Sequence, residues 1–128
     1  MITKLDPLLS TLDSSALEQL NIDMDDHSIS LDILPKTKKD TKIRFDGVSA
    51  FYYIDSSEPA TEAASNQLHS ITHHYRGFGE FAAVRSMDAP EEDPYMVSIP
   101  NFAISLNESS LFIEATKVSI DDQVFTVR

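Results

Sequence analysis

Three closely spaced histidines are the residues of this sequence best suited to chemistry. His69, His73 and His74 fall within six residues, and His69 and His73 are four apart. On a helix, side chains four apart share a face, so these two imidazoles could bind zinc, with Glu62 or Glu80 as a third ligand. The Glu that zinc peptidases carry beside their first His is missing, and no second ligand pair has a recognised spacing. We therefore expect no bound metal or other cofactor, and a solvated polar surface around the histidines.

Other catalytic patterns are missing from the sequence. Asp23, Asp25 and Asp26 resemble the start of a calcium loop, but the sixth position of such a loop is not Gly and the twelfth is not Glu. The three glycines form no phosphate-binding loop, no G-x-S-x-G elbow occurs, and the absence of cysteine excludes thiolate chemistry. We expect a protein that is not an enzyme.

The charge of the chain restricts its partners. Ten Lys and Arg stand against 21 Asp and Glu, which gives a formal net charge of −11 and a pI of about 4.5. Phosphate backbones and anionic membrane surfaces bind basic proteins, so we expect neither nucleic acid nor membrane as a partner. A basic protein would be attracted over long distances.

The predicted location is the cytoplasm. The sequence contains no cysteine, as a reducing compartment permits, and its first residues show no basic segment followed by a long apolar run. No window approaches the length of a membrane-spanning helix, and the 128 residues fit one domain, 1–128.

Two groups of residues are the candidates for partner binding. An acidic loop over 87–94, which contains two prolines, supplies the first group, because loops carry function more often than cores do. Its members are Asp88, Glu91, Glu92 and Asp93. The second group is Tyr52 and Tyr53 in a β-strand, since Tyr is enriched at interfaces. For the loop the simpler interpretation is solubility, and for the tyrosines it is core packing.

The elements that position these residues are mainly short strands. Apolar and polar residues alternate over 29–33 and around 43–45. After a bend at Asp46–Gly47, residues 48–54 are a run of strand-forming residues, and further strands are expected in the C-terminal third. The first 20 residues are expected to contain a short helix, or one that spans only 15–20, where Ser15 and Glu18 fit a capping box. Residues 60–75 fit either a second helix or a long loop.

These patterns predict an α+β fold that is mostly antiparallel β. About eight short strands would form a sandwich or barrel-like sheet, with one or two short helices.

Two segments in the first half of the chain carry a family resemblance. They are His27–Pro35 and Lys42–Ile54, in which a strand and a polar turn are followed by an I-x-F-x-x-V strand that ends in aromatic residues. In this pattern the chain resembles small bacterial proteins of the YxiG-like type. The resemblance implies an immunity-type partner of a secreted toxin, a role that needs no catalytic residue.

The leading hypothesis is a non-enzymatic protein-binding module, an immunity-like inhibitor whose acidic surface covers a basic toxin domain. One alternative is a small-ligand or metal-binding β domain that uses segment 55–80, with His69 and His73 as ligands. Another is a structural homo-oligomer that pairs through exposed strand edges.

Overall fold

Strands make up most of the regular structure in the part of the chain that is described. The computed structural model describes residues 4–35, 39–55, 67–84, 96–107 and 109–128. Within these residues there are one helix and eleven strands. They are α1 (Leu5–Ser10), β1 (Ser15–Asp23), β2 (Ser28–Leu34), β3 (Thr41–Asp46), β4 (Ala50–Asp55), β5 (Gln67–His73), β6 (Ala82–Val84), β7 (Met96–Ser98), β8 (Phe102–Leu106), β9 (Ser109–Glu114), β10 (Lys117–Ile120) and β11 (Gln123–Thr126).

Nine of these strands form one antiparallel sheet, in the order β11-β10-β3-β2-β1-β5-β8-β9-β4. Strands β6 and β7 form a separate two-stranded sheet. In the large sheet, β1 pairs with β2 along most of its length but with β5 only through Ser15 and Ala16. This short junction divides the sheet into a first half, β11 to β1, and a second half, β5 to β4.

The two halves pack against each other through a single apolar core. Phe45 of β3 and Phe102 of β8 are fully buried, and their rings meet edge to face with centroids 4.9 Å apart. Alternate residues along each strand point to the same side, so one face of both halves is apolar. Leu9 of α1 and the following Leu12 are also buried in this core.

The two halves are also joined at a corner where two chain segments cross together. Gly47, between β3 and β4, lies beside Thr116, between β9 and β10. The Thr116 amide donates to the Asp46 carbonyl at 3.1 Å, and the Ser49 amide donates to the Glu114 carbonyl at 3.0 Å. Gly47 has φ of 64°, a backbone conformation that glycine adopts without steric cost.

The mostly antiparallel β-structure is confirmed, and two details of the prediction are wrong. The described residues contain eleven strands, because β1 and β5 occupy segments where helices were considered. The large sheet is also not closed into a barrel, since β11 and β4 are its outer strands.

A helix does lie within the first 20 residues, as predicted, but the narrower span of 15–20 is wrong. These residues belong to β1, and the only helix of the described chain is α1, over Leu5–Ser10. Ser15 does not cap a helix; its hydroxyl donates to the Leu12 carbonyl. The apolar spacing of this segment suits a helix, but pairing with the alternating strand β2 holds it extended.

The helix considered for 60–75 is also wrong for the described part of that range. Residues 67–73 form β5, which pairs with β8. Residues 60–66 lie outside the described part of the chain. No helix among the described residues has the length and apolar character needed to cross a membrane.

Candidate functional site

The tip of the β1–β2 hairpin is held by short-range contacts. The Asp26 amide donates to the Asp23 carboxylate at 3.1 Å, and His27 has φ of 52°. Arg44 on β3 donates to the carboxylates of Asp26 and Asp46. Both hydrogen bonds raise the pKa of Arg44, and the bond to Asp46 has the larger effect. The hairpin tip is therefore fastened to the strand that leads into β4.

The chain leaves β2 just beyond this point, between the end of β3 and the start of β4. The Val48 amide donates to the His27 carbonyl at 2.9 Å, the last described backbone hydrogen bond between the approach to β4 and the hairpin. From Ala50 to Asp55 the strand then pairs with β9 on its other side. The divergence opens a space between the hairpin tip and the outer edge of β4.

This space is a groove of about 400 Å³, which we call the β4 groove. Such a volume lies within the range of ligand and peptide pockets. Its lining residues come from the hairpin, from the two residues before β4 and from the first three residues of β4. They are Ile22, Asp23, Met24, His27, Ser28, Ile29, Val48, Ser49, Ala50, Phe51 and Tyr52.

Large apolar side chains stand exposed beside this groove. Ile22 is 44% and Met24 is 74% exposed on the hairpin, and Tyr53 is 59% and Ile54 is 50% exposed on β4. Ile22 pairs with the buried Ile29, so it points toward the core side of the sheet and yet remains uncovered. Apolar surface grouped in this way is typical of interaction sites.

Tyr52 and Tyr53, the predicted aromatic anchors, occupy different environments. Tyr52 is half-buried, lines the β4 groove and packs on Phe81 with ring centroids 5.2 Å apart. Phe81 in turn packs on Phe112, the pairing partner of Tyr52 on β9, with centroids 4.9 Å apart. Tyr53 points to the opposite face of β4 and is largely exposed.

The predicted acidic group lies outside the described residues. Asp88, Glu91, Glu92 and Asp93 all fall within residues 85–95, and their role in binding stays a prediction. The described acids nearest to the β4 groove are Asp23, which lines it, and Asp25 and Asp26 in the adjoining turn.

The structure places His69 and His73 on the strand β5, so they are not on one face of a helix as the zinc hypothesis requires. Four residues along a strand span about 13 Å, too far for both imidazoles to hold one ion. Among the described residues, no group of three or more His, Cys, Asp or Glu side chains could hold a metal ion. His74, beyond the end of β5, packs on Phe78 with ring centroids 5.6 Å apart.

His73 is half-buried at the end of β5, between α1 and the core. Its ring lies 5.0 Å from that of the buried Phe102, and its Nε2 atom is buried without a hydrogen-bond partner. Its Nδ1 atom lies 3.7 Å from a carboxylate oxygen of Asp6. Burial lowers the pKa of His73, and the Asp6 carboxylate opposes this shift. The ring links α1 to the sheet.

Sequence reasoning singled out Tyr52 but not the hairpin side of the groove. Ile22 and Met24 alternate with Asp23 and Asp25 directly before a turn. Apolar residues that alternate with acids at a hairpin tip are the pattern that could have indicated a binding edge. Ile22 and Met24 lie more than 20 residues before Val48, so their meeting in one groove depends on strand pairing.

Comparison with known proteins gives a family for the chain. No curated protein matches it. A family model described as YxiG-like protein matches residues 5–125, which extends from α1 into β11 and covers far more than the segments 27–35 and 42–54. The chain therefore belongs to the YxiG-like protein family.

Proposed function

We propose that this chain is a non-enzymatic protein-binding module that inhibits a basic bacterial toxin domain, in the manner of an immunity protein. One observation carries the proposal: the exposed apolar side chains of Ile22 and Met24 line the β4 groove. Tyr53 and Ile54 are exposed further along β4. Burying one such side chain contributes about 1.5–3 kcal/mol. A partner that covers the groove would therefore gain most of its affinity here.

The charge around the groove favours a basic partner. Asp23 and Asp25 lie at the hairpin tip, while Asp26 is already paired with Arg44. The net charge of −11 adds long-range attraction for a cationic protein. A toxin domain that cleaves nucleic acid has a basic cleft, and an acidic protein seated on that cleft would exclude the substrate.

The test compares three forms of the chain as baits in lysate of the source organism. They are the wild type, the double variant Ile22→Ser/Met24→Ser, and the control Val124→Ser. Val124 is 66% exposed on β11, the opposite outer strand of the sheet, so its variant removes apolar surface away from the groove. All three substitutions are at exposed positions and leave the core intact.

We expect one basic protein to bind the wild type and the control, and to bind the double variant about 10–100-fold more weakly. Association should also slow between about 50 and about 500 mM salt, because screening removes the electrostatic attraction. The purified partner should lose its toxic activity in the presence of one equivalent of the chain. Equal binding to all three forms, or a partner that stays fully active when bound, would contradict the proposal.

A further inference from the structure

The β4 groove follows the backbone edge of β4 and not one of its faces. Successive residues of a strand point to opposite sides, so a pocket on one face touches every second residue. The groove is lined instead by three consecutive strand residues, Ala50 to Tyr52, together with Val48 and Ser49 just before them. The main chain of β4 must therefore form one wall of the groove.

This edge has the features of a site for strand addition. β4 is the last strand of the large sheet, and the described residues include no strand paired on its outer side. Alternate amides and carbonyls of an antiparallel strand point away from its partner, here away from β9 and toward the groove. An extended peptide that enters the groove would find main-chain groups on one side and the Ile22 and Met24 side chains on the other.

The side chains around the β4 groove favour one kind of binding segment. Apolar side chains at alternate positions of an extended segment would contact Ile22 and Met24, while basic residues between them would face Asp23 and Asp25. A second copy of this chain would bring another net charge of −11 to the same edge, which opposes self-pairing.

We infer that β4 accepts an extended, basic segment of the partner protein as an additional strand of the large sheet. This inference rests on the proposed function and specifies how the partner binds. Main-chain hydrogen bonds to β4 would supply the geometry, and the exposed apolar side chains of the hairpin would supply pockets for alternate residues.

The test uses the full chain labelled with ¹⁵N and a peptide of about eight residues in which Lys and Val alternate, long enough for one strand. Amide hydrogen exchange is followed by NMR with and without the peptide. We expect every second amide between Ala50 and Ile54 to gain protection, because only alternate groups point into the groove. A matched control peptide carries N-methyl groups on alternate residues, which removes its donors and keeps its side chains.

The control peptide should bind about tenfold more weakly or worse, since it loses two or more backbone hydrogen bonds. Three outcomes would overturn strand addition: equal affinity of the two peptides, protection at other strands, or no binding at millimolar peptide. The proposed function would then still be tested separately, by the lysate experiment. Protection of β4 that rises with chain concentration alone would identify a second copy as the occupant and overturn the inference. Alternate protection without an inhibited partner would support strand addition while the proposed function failed.

Discussion

Two side chains with buried polar atoms differ in whether those atoms have hydrogen-bond partners. Asn101 is fully buried, but its amide donates to the Ala115 carbonyl at 2.9 Å and accepts from the Ala115 amide at 3.0 Å. It thus copies a main-chain pair and leaves no group unsatisfied. His73 differs, because its Nε2 atom is buried with no hydrogen-bond partner. Protonating that atom would place an unpaired N–H donor against Phe102.

The environment of His73 predicts that stability falls in mildly acidic solution. Since burial lowers the pKa of folded His73 below its ordinary value of 6.5, the unfolded chain takes up a proton first as the pH falls. The free energy of unfolding should decrease from about pH 6.5 downward and stop decreasing, as far as this group is concerned, below the pKa of the folded state. Chemical denaturation between about pH 7.5 and pH 5.5 measures this slope.

The matched variants are His73→Gln and His69→Gln. The first removes the titrating group and should flatten the pH dependence, while the second changes an exposed residue of the same strand and should preserve it. An equal slope for the wild type and His73→Gln would show that other groups cause the effect.

At the scale of the elements, the paired crossings at Gly47 and Thr116 decide where β4 lies. One crossing connects β3 to β4 and the other connects β9 to β10, side by side. The chain thus leaves β2 after β3, and β4 pairs only with β9 among the described strands. A Cβ atom on residue 47 would lie 2.1 Å from the Thr116 hydroxyl oxygen. Close approach at this corner therefore requires glycine, and the β4 groove depends on it.

We predict that Gly47→Ala lowers the free energy of unfolding by about 2–4 kcal/mol, the sum of a left-handed backbone and a steric clash. In a Thr116→Ala background the same change should cost about 1 kcal/mol less, because the clashing hydroxyl is gone. Urea denaturation of the two single variants and the double variant measures this coupling. Strictly additive costs would mean that the backbone conformation alone is responsible.

For the whole molecule, the net charge opposes association between copies of the chain, while exposed apolar surface favours it. The net charge of −11 repels copies of the chain from one another, which opposes self-association through the exposed apolar groove. The same charge also repels within the folded chain and lowers its stability. This repulsion within the folded chain has an energetic cost that salt should reduce.

We predict that the melting temperature rises by about 4 °C between about 10 and about 150 mM NaCl, as the Debye length falls from about 30 to about 8 Å. Differential scanning calorimetry measures the change. At pH 5, nearer the pI of about 4.5, the repulsion is smaller and the rise should shrink. A rise that is the same at both pH values would point to a general salt effect on apolar burial.

Strand prediction succeeded where alternation was regular and failed where local patterns competed. β2 and β3 alternate strictly between buried and more exposed residues over most of their lengths, and both were expected. β1 carries a helix-like spacing of Leu17 and Leu20 with an apparent capping box, and β5 contains a register shift beside His69 that disturbs its alternation. In both segments, pairing with distant strands outweighed local preference.

By itself, the sequence determined the acidic charge, the absence of known catalytic motifs and most of the strands. It also predicted that Tyr52 and Tyr53 lie in a strand, which is β4. These properties depend on composition or on neighbouring residues, which are readable without a fold. Only the tertiary structure decided that β4 is an outer strand and that Ile22 and Met24 stand across a groove from it. Strand order follows from contacts between residues far apart in the chain, and a residue's exposure at a sheet edge is a consequence of that order.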